Sequence, residues 1–169
     1  MIVVSDTSPI NYLILIGADQ VLPTLFGQVI APPAVIAEMQ SPKAPLAVSR
    51  WAANPPAWLS IRSPAPFAPL GNLGPGESEA IALAQQLAVD VLLIDERAGS
   101  KLAKRLGINV VRTLGVIDLA AEKGLLLLPA AIAALRNTTF RIPERLVAEL
   151  LRLDAARTPA KPASPDDSP

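Results

Sequence analysis

Met1-Ile2-Val3-Val4-Ser5-Asp6-Thr7-Ser8-Pro9-Ile10 opens the chain. The apolar β-branched run Ile2-Val3-Val4, ending at Ser5, reads as a short strand buried on both faces. Asp6 closes it. Thr7 or Ser8 is expected to cap a helix, with Pro9 well placed in its first turn. Ile10, Leu13 and Ile14 follow at helical spacing, and Gly17 stops the run. A strand that passes directly into a helix is the unit of a parallel sheet, and a carboxylate at the strand's end faces the crevice where such sheets do their chemistry.

The unit recurs outward from there. Val29-Ile30-Ala31 reads as strand, and Pro32-Pro33 starts a helix through Glu38. Short helices are expected over Asp19–Leu25 and Pro45–Ala53, and Trp58–Arg62 alternates like a strand. Ser63–Gly76 is rich in Pro and Gly and reads as a loop. A helix from Glu77 to about Ala88 leads into the strand Val91–Ile94, closed by Asp95. Then come a helix Arg97–Leu106 ended by Gly107, a strand Ile108–Val111, and a helix Leu114–Lys123 ended by Gly124. Two more helices are expected at Pro129–Leu135 and Pro143 to about Ala156. Strands alternating with helices imply a mainly parallel sheet with helices on both faces.

Composition narrows the chemistry. The 169 residues suffice for one domain, and at 51% apolar but 4% aromatic its core must be aliphatic. Fifteen Lys and Arg balance fifteen Asp and Glu, which argues against a broad non-specific nucleic-acid surface but leaves room for a local basic patch. There is no Cys and no His. Thiol nucleophiles, disulfides, the usual zinc sites and histidine acid–base catalysis are thereby excluded. What remains is carboxylates, hydroxyls, Lys, Arg or a bound metal. The start lacks the basic segment of a signal peptide and reaches an acid early. The longest apolar run, Gly124–Leu135, is about a dozen residues and holds Pro129, against roughly 20 for a membrane-spanning helix. A cytoplasmic protein is expected, with no membrane partner.

Four acids stand at element ends: Asp6, Glu38, Glu77 and Asp95. Together they would make an oxygen-rich site for Mg²⁺ or Mn²⁺. Singly, each has a plainer reading. Asp6-Thr7-Ser8 also suits a helix cap, Glu38 a solvated helix face, Glu77 and Glu79 a helix dipole, and Asp95 a cap. Beyond Asp95, Arg97, Lys101, Lys104 and Arg105 share one helical face, with Leu102 and Leu106 on the opposing apolar side. That basic stripe suits a phosphate backbone or simply a solvated surface.

The joint order resembles the PIN-domain family of small metal-dependent nucleases, many of them toxins of bacterial toxin–antitoxin pairs. The resemblance rests on strand-Asp6-Thr7-Ser8 and on a helix-borne Glu38 about thirty residues further on. It continues with Gly76-Glu77-Ser78-Glu79-Ala80-Ile81-Ala82-Leu83-Ala84, and with Leu92-Leu93-Ile94-Asp95 about eighteen residues after Glu77. Arg112-Thr113-Leu114-Gly115-Val116-Ile117 is similar to a poorly characterised subgroup with a Thr-Leu-Gly-Val segment there. The chain departs from the pattern in carrying Glu77 where many such toxins have Asp, and Glu96 after Asp95.

The resemblance covers residues 1 to about 125 and implies a three-layer α/β/α sandwich over residues 1–157, with C-terminal helices in 129–157. It implies Mg²⁺- or Mn²⁺-dependent hydrolysis of phosphodiester bonds, with RNA as substrate and an antitoxin protein as partner. Asp6 and Asp95 would be the primary metal ligands, and Glu38 and Glu77 would complete the set. Thr7, Ser8 or Thr113 would hydrogen-bond the phosphate or a metal-bound water, and Arg97, Lys101 and Lys104 would hold the backbone. The aliphatic, neutral composition also fits surface buried in a homodimer. The alternatives are an inactive PIN-like protein that binds RNA or a protein partner, and a phosphatase of small phosphomonoesters.

Residues 158–169 are mostly Pro, Ser, Ala and Asp, with little to bury, and are expected to be disordered. Truncation after Arg157 is expected to leave the melting temperature unchanged. A drop of several degrees would show that the tail docks.

Overall fold

A computed structural model describes residues 1–157; the tail lies outside the described residues. Five strands form one sheet: β1 (Val3–Ser5), β2 (Val29–Ala31), β3 (Leu59–Ile61), β4 (Val91–Leu93) and β5 (Val110–Val111). All pairings are parallel, in the order β3-β2-β1-β4-β5. The helices are α1 (Thr7–Leu15), α2 (Val21–Phe26), α3 (Pro33–Met39), α4 (Leu46–Ala53), α5 (Pro75–Gln86), α6 (Arg97–Arg105), α7 (Thr113–Glu122), α8 (Leu128–Arg136) and α9 (Glu144–Ala156).

Strand periodicity sorts the core into two layers. Val3, Val29, Ala31, Val91 and Leu93 face one side, packed with Ile10 and Leu13 of α1 and Leu114 and Ile117 of α7. Val4, Leu92 and Ile94 face the other, against Ala80, Ile81, Leu83 and Ala84 of α5 and Ala103 of α6. The result is a three-layer α/β/α sandwich. Among the described residues no helix is long and apolar enough to cross a membrane.

The order of strands locates the crevice. From β1 the chain moves to β2 and β3 on one side; from β4 it moves to β5 on the other. The connections leaving the carboxyl ends of the neighbouring β1 and β4 therefore diverge, and a gap opens between them. Ser5 is in register with Leu93, and the Asp6 amide donates to the Leu93 carbonyl at 2.9 Å. Asp6 and Asp95, just past the two strands, flank this gap.

Three local expectations are corrected. Asp6 itself, not Thr7 or Ser8, occupies the cap position of α1, and its side chain makes no capping hydrogen bond. Helix α5 begins at Pro75, because proline suits a first helical position where its missing N–H costs nothing, so Glu77 sits in the first turn rather than at its start. The buried side of α6 is Gly99, Ser100 and Ala103, whereas Leu106 is exposed. The reason is close packing: a Cβ at Gly99 would lie 2.7 Å from Ile94 Cδ1, so small residues face the sheet.

Candidate active site

Asp6 is the most confined of the four acids, with 3% of its surface exposed. Its Oδ1 is buried and accepts no hydrogen bond. Burial pushes its pKa up to about 7; the Thr7 amide opposes this, and the nearby charges of Glu77, Glu38 and Asp95 add to it. An ordinary carboxylate near pKa 3.8 in this position would be ionised and unsatisfied, an expensive state without a cation.

The other three are held by donors from elsewhere in the fold. Glu38, on α3, accepts the Thr7 hydroxyl proton on Oε2 and the Gly76 amide on Oε1 at 2.8 Å. Asp95 accepts the Thr113 amide at 2.9 Å and the Thr113 hydroxyl at 2.6 Å. Glu77 accepts the Gly74 amide at 3.1 Å. Burial raises the pKa of both Glu77 and Asp95. The Gly74 amide opposes the rise at Glu77, where the charges of Glu96 and Glu38 reinforce it; Thr113 and then Arg112 oppose it at Asp95.

Thr7 and Thr113, expected to meet the phosphate or a metal-bound water, each donate the hydroxyl proton to a carboxylate and so position a candidate ligand. Glu79 differs from Glu77 in its partner rather than its exposure. Its Oε2 accepts the Ala34 amide at 3.0 Å and ties α5 to the first turn of α3.

A cleft of about 610 Å³ opens beside the acids. Ser8, Glu77, Asp95 and Glu96 line it, together with Tyr12, Arg112, Phe140 and Arg141. Arg97, Lys101 and Lys104 do not: they stand exposed on the outer face of α6, so the fold does not bring the stripe into the cleft wall. The sequence analysis did not place Glu96, Arg112, Arg141, Tyr12 and Phe140 in the cleft they line. Arg112 carried one usable signal, its place at a strand end before Thr113. The aromatic wall comes from the α8–α9 connection, which carries no local motif.

The donors are all oxygens, which fits a hard divalent cation such as Mg²⁺ or Mn²⁺. The unpartnered Asp6 Oδ1 supports that fit. Among the described residues no three acidic side chains are grouped closely enough to hold a metal ion as they stand.

These features stand beside two comparisons. A family model described as a PIN domain matches residues 2–155, and the chain belongs to the PIN-domain family, whose fold is of nuclease type. A solved PilT N-terminus domain protein from the hyperthermophilic archaeon Sulfolobus solfataricus P2 is similar in fold. Its TM-score is 0.50 at 17% identity, over 84% of this chain and 100% of that one. No curated protein matches.

Two outcomes are expected. A Cβ at Gly76 would fall 2.7 and 2.8 Å from the Glu38 carboxylate oxygens, so Gly76→Ala should displace Glu38 while leaving the fold intact. Calorimetry should show metal affinity reduced at least about tenfold with little change in melting temperature; unchanged affinity would show Glu38 to be uninvolved. The second concerns pH. Asp6 has a folded pKa above its unfolded one, so the folded state binds the extra proton between about 4 and 7. Its contribution destabilises the metal-free protein as pH rises through that window and does so fully above it. Asp6→Asn should therefore stabilise the metal-free protein at pH 8, by about 1–4 kcal/mol, and much less at pH 5. Thermal melts in chelator at the two values check this, and equal effects at both would refute it.

Proposed function

We propose that this protein is a Mg²⁺- or Mn²⁺-dependent endoribonuclease, acting as the toxin of a toxin–antitoxin pair. One observation carries the reading: a buried, unpartnered oxygen of Asp6 amid three further carboxylates, at the switch point of a nuclease-type fold. Asp6 and Asp95 are the primary candidate ligands, with Glu38 and Glu77 completing the set. Bound there, the cation supplies charge neutralisation at the scissile phosphate and an activated water. Thr113 fixes the orientation of Asp95, Thr7 and the Gly76 amide that of Glu38, and the Gly74 amide that of Glu77. Glu77 reaches the cleft as a carboxylate with an oxygen free to orient the attacking water. Partnership with an antitoxin and a homodimeric state belong to the same reading.

The test is cleavage of single-stranded RNA by purified protein in Mn²⁺, with a chelator control. Glu77→Gln should abolish most of the cleavage. Glu79→Gln should retain most of it, because a glutamine oxygen can still accept the Ala34 amide. The reverse order would move the third ligand by two residues, and no metal-dependent cleavage by the wild type would favour a purely binding role.

A further inference from the structure

One wall of the cleft donates no hydrogen bond to the carboxylates. Tyr12 on α1 and Phe140 and Arg141 in the α8–α9 connection build it, and Arg112 joins them at the corner between β5 and α7. The connection is shaped by its own hydrogen bonds. The Thr138 hydroxyl donates to the Leu135 carbonyl at 2.7 Å and accepts the Phe140 amide at 3.1 Å. The Tyr12 and Thr139 hydroxyls meet at 3.3 Å, which pins the connection to α1.

The rings of Tyr12 and Phe140 lie 4.9 Å apart at 81°, edge to face. Both rings are half-buried against the apolar core, and both also line the cleft, where their remaining surface meets its contents. Among the described residues neither Arg112 nor Arg141 forms an ion pair, although Glu77, Asp95 and Glu96 line the same cleft. The one side-chain hydrogen bond of Arg112 is a long one, 3.4 Å to the Ser100 hydroxyl. Free guanidinium donors beside an aromatic pair suit a nucleotide, whose base stacks on a ring while its phosphate takes the arginines. An apolar peptide would use the rings and leave both cations without a partner.

We propose that Tyr12, Phe140, Arg112 and Arg141 form a binding subsite for one unpaired nucleotide of single-stranded RNA, next to the bond on which the carboxylates act. The identity of the ligand rests on the nuclease reading above. A base already stacked within a duplex cannot reach a ring at the cleft wall, so the subsite selects single strands. The exposed Arg141 supplies a salt-dependent share of the affinity.

Binding is measured on the full chain in chelator, by anisotropy of a labelled single-stranded RNA of about eight nucleotides and of a hairpin duplex of matched composition. The wild type should bind the single strand at least about tenfold tighter than the hairpin. Phe140→Leu, which keeps apolar bulk but removes the ring, should weaken single-strand binding by about tenfold, and Phe140→Trp should preserve it. Arg141→Ala should weaken binding and flatten its salt dependence. Circular dichroism establishes that each variant is folded. Single-strand affinity within twofold of wild type in Phe140→Leu, equal binding of strand and hairpin, or no wild-type binding overturns the subsite. Cleavage in Mn²⁺ separates the two readings. A wild type that binds but does not cut sinks the nuclease and leaves the subsite. A wild type that cuts, while Phe140→Leu keeps its KM, sinks the subsite and leaves the nuclease.

Discussion

Carboxylates gathered at the carboxyl edge of a buried sheet lose water and stand near like charges, and at this site the loss of water is the larger effect. Three of the four carboxylates receive donors that compensate their charge: Thr7 and Gly76 for Glu38, Gly74 for Glu77, Thr113 for Asp95. Asp6, the most deeply buried, is helped by the Thr7 amide but keeps one bare oxygen, and burial first and the neighbouring charges second bring its pKa up to about 7. The donors thus do two things. They fix three side chains in place, and they leave the electrostatic deficit at one position, where a divalent cation relieves most.

The fold makes this arrangement affordable by placing it at the switch point. Val3 and Val4 have no exposed surface and anchor β1 from both helical layers, so Asp6 has no freedom to swing toward solvent. On the far side, α6 approaches the sheet closely because Gly99 meets the Ile94 side chain. That proximity places Asp95, Glu96 and the start of α6 at the same edge as Asp6. Glu38 arrives from α3, which packs on α5, and the absence of a side chain at Gly76 lets its carboxylate sit against the α5 backbone. Each acid therefore comes from a different element, and their meeting is a property of packing rather than of any one segment.

That difference sets what could be read from the sequence. The parallel architecture was legible, because Val3-Val4, Val29–Ala31 and Val91–Leu93 are short apolar runs, each leading into a helix. The acids were legible by position, Asp6 and Asp95 at strand ends, Glu77 in a first helical turn and Glu38 in a last one. Their partners were not. Thr7 and Thr113 have hydroxyls that suit phosphate or carboxylate equally, and only proximity assigns them to carboxylates. A helical wheel groups Arg97, Lys101 and Lys104 on one face but does not say where that face points. Hydropathy named Leu102 and Leu106 as the inner side; Leu102 does pack on the core, whereas Leu106 is exposed and Gly99 and Ala103 make the close contact. Phe140 and Arg141 gave no signal, since the contact of their connection with Tyr12 joins residues far apart in the chain.

Net neutrality bears on how such a molecule would hold a polyanion. With fifteen cationic and fifteen anionic side chains, no long-range field favours nucleic acid, so attraction has to be local. Arg112 is placed where that local term counts most. It lines the cleft and also lowers the cost of charge on Asp95. A phosphate that engaged Arg112 would draw off part of that support, and the carboxylate would then lean harder on a divalent cation.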